Sequence, residues 1–256
     1  ICIMPKKLLI IANWKMNPSR ASEAILLAKK IEKGIPRTPN AEVVIAPPFP
    51  FLVQVASVLK KSKLGAQDVF WEKEGARTGE VSTGMLKDLC VNYCIIGHSE
   101  RRALGETDEQ INKKIKAVLK SRIMPALAVG EKKRMPEAKM RRVLETQLKK
   151  DLNGISKVAF KNGIIAYEPV WAIGIGLSAT PEHARKALGV IRKTLQHLWK
   201  TERIPTRILY GGSVNAKNAA TFLSKKGGGM DGMLVGGASL NAKEFVGIVR
   251  AATRTK

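Results

Sequence analysis

Short apolar runs, rich in β-branched residues, recur eight times along the 256 residues, and each is followed by a longer charged stretch. The runs lie at 8–12, 43–46, 64–67, 94–97, 126–129, 164–167, 208–210 and 233–235. Nearly continuous apolar runs predict strands buried on both faces, as in a parallel sheet covered by helices. The intervening stretches carry apolar residues three and four apart, such as Ala24, Leu27, Ala28 and Ile31, or Ile111, Ile115, Val118 and Leu119. That spacing predicts amphipathic helices. Thr107 with Gln110 reads as a capping box, and Thr180-Pro181-Glu182 as an N-cap, a first-turn proline and a first-turn acid. Eight strand–helix units in about 250 residues favour a closed (β/α)8 barrel over an open doubly wound sheet. No Pro/Gly/Ser linker divides the chain. The expectation is an α/β fold with one domain over residues 8–256 and a short extension over 1–7. Met4 looks a more natural start than Ile1.

Polar residues and glycines cluster just after the strands. Asn13 and Lys15 follow the first, and His98, Ser99 and Glu100 the fourth. Glu168 ends the sixth, Gly211-Gly212-Ser213 follow the seventh, and Gly236-Gly237 the eighth. In a barrel all these points meet at the C-terminal rim, where such barrels carry out chemistry. Glycines let backbone amides approach a phosphate closely, although each pair alone also suits a tight turn. Glu168 precedes Pro169, which disfavours helical geometry there. It is a candidate general base, made more basic by desolvation; the alternative is an ordinary turn glutamate. His98 is a candidate donor and Lys15 a fixed cation. Residues 174–179 match a dinucleotide fingerprint only loosely, because five residues separate Glu168 from Gly174; a lid is the better reading. His183 and His197 read as surface or packing residues of one helix.

Composition bounds the rest. Lys and Arg total 45 against 21 Asp and Glu, a net charge of +24, which invites a nucleic-acid reading. The lysines are spread over helical faces and aromatics are only 5%, which weakens it. Three cysteines, Cys2, Cys90 and Cys94, suit a reducing cytoplasm rather than a disulfide scaffold. No apolar run is long enough for a membrane span, no zinc spacing is present, and no Walker or G-x-S-x-G motif occurs. No metal and no cofactor is expected. One base, one donor, one cation and a phosphate nest suit proton abstraction beside the carbonyl of a small phosphate ester.

Five motifs in order carry a family resemblance: Ala12-Asn13-Trp14-Lys15-Met16-Asn17; Ile96-Gly97-His98-Ser99-Glu100-Arg101-Arg102; Ala166-Tyr167-Glu168-Pro169-Val170-Trp171-Ala172-Ile173-Gly174; Tyr210-Gly211-Gly212-Ser213-Val214; and Leu234-Val235-Gly236-Gly237-Ala238-Ser239-Leu240. The chain resembles the triosephosphate isomerase family from about residue 8 to 252. The resemblance implies a TIM barrel that interconverts dihydroxyacetone phosphate and glyceraldehyde 3-phosphate through an enediolate, with no cofactor, in glycolysis and gluconeogenesis. It implies Glu168 as base, His98 as neutral electrophile with a low pKa, and Lys15 and Asn13 as stabilisers. Ser99 and Glu100 would support them, Glu100 by holding Lys15. Gly174, Ser213, Gly236 and Gly237 would bind the phosphate by their amides under a lid at about 169–179. Residues 75–82 resemble a loop that enters a second subunit, which implies a homodimer with Thr78 near the partner's site. The chain departs from the pattern at Ile175 and Leu177 in the lid, at Ala128 where cysteine is common, and at Cys90 where glycine is common. The alternatives are a barrel that binds nucleic acid through its charge, or a catalytically silent one.

Overall fold

A computed structural model of the chain describes residues 7–38, 40–174 and 178–254. The expected extension therefore lies outside the described residues except for Lys7, as do Ile175 and Leu177. Eight parallel strands close on themselves in chain order. They are β1 (Leu8–Asn13), β2 (Ala41–Ala46), β3 (Lys63–Ala66), β4 (Tyr93–Ile96), β5 (Met124–Val129), β6 (Ile164–Tyr167), β7 (Arg207–Tyr210) and β8 (Gly232–Val235). Closure is made by β1 against β8, with Ile10 opposite Met233 and Ala12 opposite Val235. Each predicted run lies in its strand except at the ends, where Gln67 and Gly97 fall just outside.

The helices among the described residues are α1 (Ala21–Gly34), α2 (Leu52–Ala56), α3 (Thr83–Asp88), α4 (Ser99–Ala103), α5 (Asp108–Lys120), α6 (Glu137–Asp151), α7 (Pro181–Trp199), α8 (Ala219–Leu223) and α9 (Ala242–Thr253). The capping box at Thr107 and Gln110 is formed in both directions. Thr180 caps α7 by accepting the His183 amide, and Pro181 takes the first helical position, where its missing N–H costs nothing.

The strand period of two divides the core. Leu9, Ile11, Val44, Ala46, Tyr93, Ile95, Ala126, Ala128, Ile164, Ala166, Leu209 and Leu234 fill the barrel interior. Their neighbours, among them Ile10, Ile45, Ile96, Leu127 and Ile208, pack outward against the helices. Both sets are apolar, which is why these strands read as continuous runs. The N-terminal mouth is plugged by polar groups. Tyr93 donates to Glu42 Oε1 at 2.9 Å, and Arg207 reaches Tyr93 Oη at 2.9 Å and Glu42 Oε2 at 3.2 Å.

Candidate active site

The C-terminal mouth opens into a cleft of about 290 Å³, lined by Asn13, Lys15, His98, Glu168, Gly174, Ser213, Gly236 and Gly237 among others. Every residue expected to touch substrate is therefore in one cleft.

Lys15 follows β1 in a left-handed conformation, φ 54°, which is costly for a residue with a Cβ. The turn is held from two sides. Asn13 Oδ1 accepts the Lys15 amide at 3.1 Å, and Gln67 Nε2 donates to Lys15 O at 2.9 Å. The strain aims the ammonium into the cleft, where it meets Glu100 Oε1 at 2.6 Å. Ser239, fully buried, donates to Gly236 O at 2.7 Å and to Asn13 O at 3.4 Å, tying the β8 loop to the β1 turn.

His98 caps α4. Its Nδ1 accepts the Glu100 amide at 3.2 Å, so in the neutral ring the proton sits on Nε2. Nε2 lies 3.0 Å from Glu168 Oε1, and the Ser99 amide donates to Glu168 Oε2 at 2.9 Å. Burial pulls the His98 pKa down, but the Glu168 carboxylate and the charge of Glu100 together outweigh it and leave the pKa raised. Burial pushes the Glu168 pKa up, but His98 and the Ser99 amide outweigh it and leave it lowered. Both directions are opposite to those expected from the sequence, a low pKa for the histidine and a raised one for the base. The reason is the contact between them: unliganded, each group is the other's partner.

Gly211 must be glycine because of Glu168. A Cβ there would lie 2.9 Å from Glu168 Cγ and 3.1 Å from Tyr167 O. Ser213 donates its hydroxyl to Ala172 O at 2.7 Å, joining the β7 loop to the short turn Val170–Ala172 that follows β6. Gly236 and Gly237 begin the turn after β8, and a Cβ on Gly237 would meet nothing within 4 Å.

One further expectation changes. His183 is not a surface or simple packing residue. Its Nε2 lies 2.9 Å from Tyr167 Oη and 3.2 Å from Glu131 Oε1, and the same carboxylate accepts Trp171 Nε1 at 2.7 Å. This fully buried glutamate was missed from sequence, as were Gln67 and Ser239. His197 is exposed, as expected. Cys90 has φ 56°, the left-handed backbone expected where glycine is common. Ala128 borders a second cleft of about 210 Å³ behind the base, with Gly97, Arg102, Gln147 and Glu168. Thr78 is exposed and does not line the cleft of its own chain. No group of three or more His, Cys, Asp or Glu among the described residues could hold a metal, and no described helix is long and apolar enough to cross a membrane.

A family model described as triosephosphate isomerase matches residues 8–252. The chain belongs to the triosephosphate isomerase family. Among curated members, the triosephosphate isomerase of Dehalococcoides mccartyi (strain CBDB1) is 47% identical over 252 residues, 96% of this chain and 97% of that protein. Those of Dictyoglomus thermophilum and Caldanaerobacter subterraneus subsp. tengcongensis are 46% and 44% identical, covering 96% and 94% of this chain and 100% and 98% of theirs. The match covers all five motifs and excludes a resemblance confined to the late glycine loops shared by phosphate-binding barrels.

Proposed function

We propose that this member of the family interconverts dihydroxyacetone phosphate and glyceraldehyde 3-phosphate with the residues gathered in its rim cleft. The observation that carries the assignment of roles is the 3.0 Å approach of His98 Nε2 to Glu168 Oε1, beside Lys15, in one cleft. Substrate inserted between the two side chains breaks their contact. Glu168 then loses the partners that hold its pKa down, while its burial remains and makes it more basic. His98 loses the carboxylate that holds its pKa up, and burial favours the neutral ring. The pair thus separates into a base and a neutral donor when substrate arrives.

Glu168 takes a proton from the carbon next to the carbonyl and returns it to the neighbouring carbon. His98 Nε2–H and the Lys15 ammonium stabilise the oxygen on which negative charge develops. Asn13 holds the Lys15 turn and faces the same oxygen, Glu100 orients Lys15, and Ser99 parks the base between turnovers. The amides of Gly174, Ser213, Gly236 and Gly237 hold the phosphate, and a lid at about 169–179 excludes water from an intermediate that would otherwise expel phosphate. No cofactor is required. The reaction serves glycolysis and gluconeogenesis in the cytoplasm. The net charge of +24 favours encounter with a dianionic ester, which is a better use of it than nucleic-acid binding.

A coupled assay with either triose phosphate tests the activity, and Glu168→Gln tests the base. The variant is expected to fold and to lose about 10³-fold in kcat, within the range for a positioned base. Turnover near that of the unaltered protein would remove Glu168 from its role. The working unit is a homodimer in which the exposed loop containing Thr78 meets the partner near Lys15 and the 92%-exposed Met16. A purely monomeric species by sedimentation at moderate salt, where like-charge repulsion is screened, would exclude it.

A further inference from the structure

Behind the His98–Glu168 pair lies a buried charge cluster that the reaction chemistry does not use. Arg102, on α4, spends its side chain on four acceptors. Nε donates to Gly97 O at 2.8 Å, Nη1 to Asp108 Oδ1 at 2.7 Å, and Nη2 to Asp151 Oδ2 at 2.6 Å and Ala128 O at 3.3 Å. Asp151, the last residue of α6, is fully buried.

The first of these bonds matters most. Gly97 O belongs to the peptide whose N–H is that of His98, so the direction of this carbonyl fixes the plane from which His98 departs. Gly97 has φ 69° and no Cβ to restrain it. The orientation of that peptide therefore depends on a bond from outside, and Arg102 makes it. The guanidinium is planar, so the two carboxylates that fix its far edge also fix the direction of Nε–H. One residue further on, the Ser99 amide holds Glu168 Oε2. A tilt of the Gly97–His98 peptide would displace the electrophile and the resting contact of the base together.

We propose that Asp151 is a positioning residue for the isomerisation, acting through Arg102 on the Gly97–His98 peptide. The proposal rests on the roles assigned above to His98 and Glu168. Ionised Asp151 completes the clamp with a second negative charge, and protonated Asp151 leaves Asp108 as the one charged acceptor on Arg102. Burial pushes the Asp151 pKa up to about 7, against the attraction of Arg102 and with added repulsion from Asp108. The other charged groups facing the cluster are Lys150, 3.3 Å from Asp108 Oδ2, and, around His98, Glu168, Glu100 and Lys15. The Asn112 amide binds the backbone carbonyl of Asp151 and leaves its carboxylate to Arg102.

The test is the pH profile of kcat for the unaltered enzyme and for Asp151→Asn, which keeps shape and an acceptor but cannot ionise. Limbs common to both belong to other groups; the difference belongs to Asp151. At pH 8 the variant is expected to be about fivefold slower, well short of the ~10²-fold cost of a 1 Å misplacement. At pH 6 the two converge, and KM changes less than about twofold because the phosphate donors lie elsewhere. Stability should not fall at pH 8, since a carboxyl whose pKa is raised in the folded protein costs stability once it ionises, and the amide keeps an acceptor for Arg102. Parallel profiles, a change in KM alone, or a kcat loss that merely follows lost stability overturns the proposal. Arg102→Lys keeps the charge but cannot span both carboxylates and Gly97 O. It is expected to flatten the profile in the same way, and it decides the matter if Asp151→Asn does not fold. Inactivity of the unaltered enzyme on triose phosphates would instead overturn the functional reading itself.

Discussion

At the N-terminal mouth of the barrel, Arg207 lies between Glu42 and the Tyr93 hydroxyl, and each group has found its partners within the protein. At the C-terminal mouth, Lys15 lies against Glu100 and His98 against Glu168. The same residue types appear at both ends, but the backbone differs. Glu42, Tyr93 and Arg207 sit on strand residues in regular ladder geometry. Lys15 and Gly97 sit just after strands at φ 54° and 69°. At Lys15, which carries a Cβ, such a φ persists only where surrounding bonds over-determine it, and at Gly97 those bonds choose among conformations open to glycine. Here the bonds are those from Asn13, Gln67 and Arg102. One end pairs its charges on regular strand positions inside the barrel, whereas the other pairs them on loop residues beside an open cleft.

The sharpest way to break this comparison removes one cation from each end. Lys15→Met is expected to lower kcat/KM by about 10²- to 10³-fold, the scale of one lost electrostatic stabiliser. Its stability should change little, because its partner Glu100 is largely exposed. Arg207→Met should do the reverse. Activity stays within about twofold, while stability falls by about 2 kcal/mol, less than for a wholly buried pair because both charges keep some solvent. Coupled assays and denaturant melts on both variants decide it. Equal stability losses would mean that the two ends are built alike.

A smaller effect separates the ends by pH. The raised pKa of His98 contributes stability that is complete below its unfolded value of about 6.5 and is lost as pH rises through the folded value. The lowered pKa of Glu168 contributes stability complete above about 4.3 and lost as pH falls through its folded value. The stability difference between the unaltered protein and Glu168→Gln should therefore be widest between about pH 4.3 and 6.5, and narrower at pH 9. At the other mouth, Tyr93 acts in a different window. Burial raises the Tyr93 pKa to about 12, so its hydroxyl withdraws stability only where unfolded tyrosine ionises first, above about pH 10. Melts of Glu168→Gln and Tyr93→Phe across pH check both windows. A Glu168→Gln difference that is flat with pH would show that His98 and Glu168 are not paired in the unliganded protein.

The two ends also differed in how far the sequence exposed them. Asn13, Lys15, His98 and Glu168 were readable because each follows an apolar run, and strand ends in a closed barrel share a rim. The sign of the pKa shifts was not readable. It depends on the distance between two side chains 70 residues apart in sequence, whereas periodicity reports only which face a residue occupies. His183 was misread for the same reason. Its helix position was right, but its partners, Tyr167 and Glu131, come from the ends of β6 and β5. Arg102 and Asp151 stand 49 positions apart and look like two more charges among many. Local signals, such as the Thr107 capping box, transferred unchanged because all their atoms lie within four residues.

Backbone strain gives the smallest and most specific test of the comparison. Cys90 and Lys15 have nearly the same left-handed φ, 56° and 54°. Cys90 lies between α3 and β4, on the side of the N-terminal mouth, and Lys15 follows β1 on the other. A residue with a Cβ pays roughly 1–2 kcal/mol there, of which glycine returns part through its own entropy loss on folding. Cys90→Gly is therefore expected to add about 1 kcal/mol of stability with unchanged kcat and KM. Lys15→Gly relieves the same strain and should stabilise by a similar amount, but it removes the ammonium and loses activity on the scale of Lys15→Met. If Cys90→Gly also slowed turnover, strain at the N-terminal mouth would be coupled to the site, and the division of labour between the ends would fail. If both glycine variants gained stability and only one lost activity, the strain at Lys15 would be explained by what its side chain does.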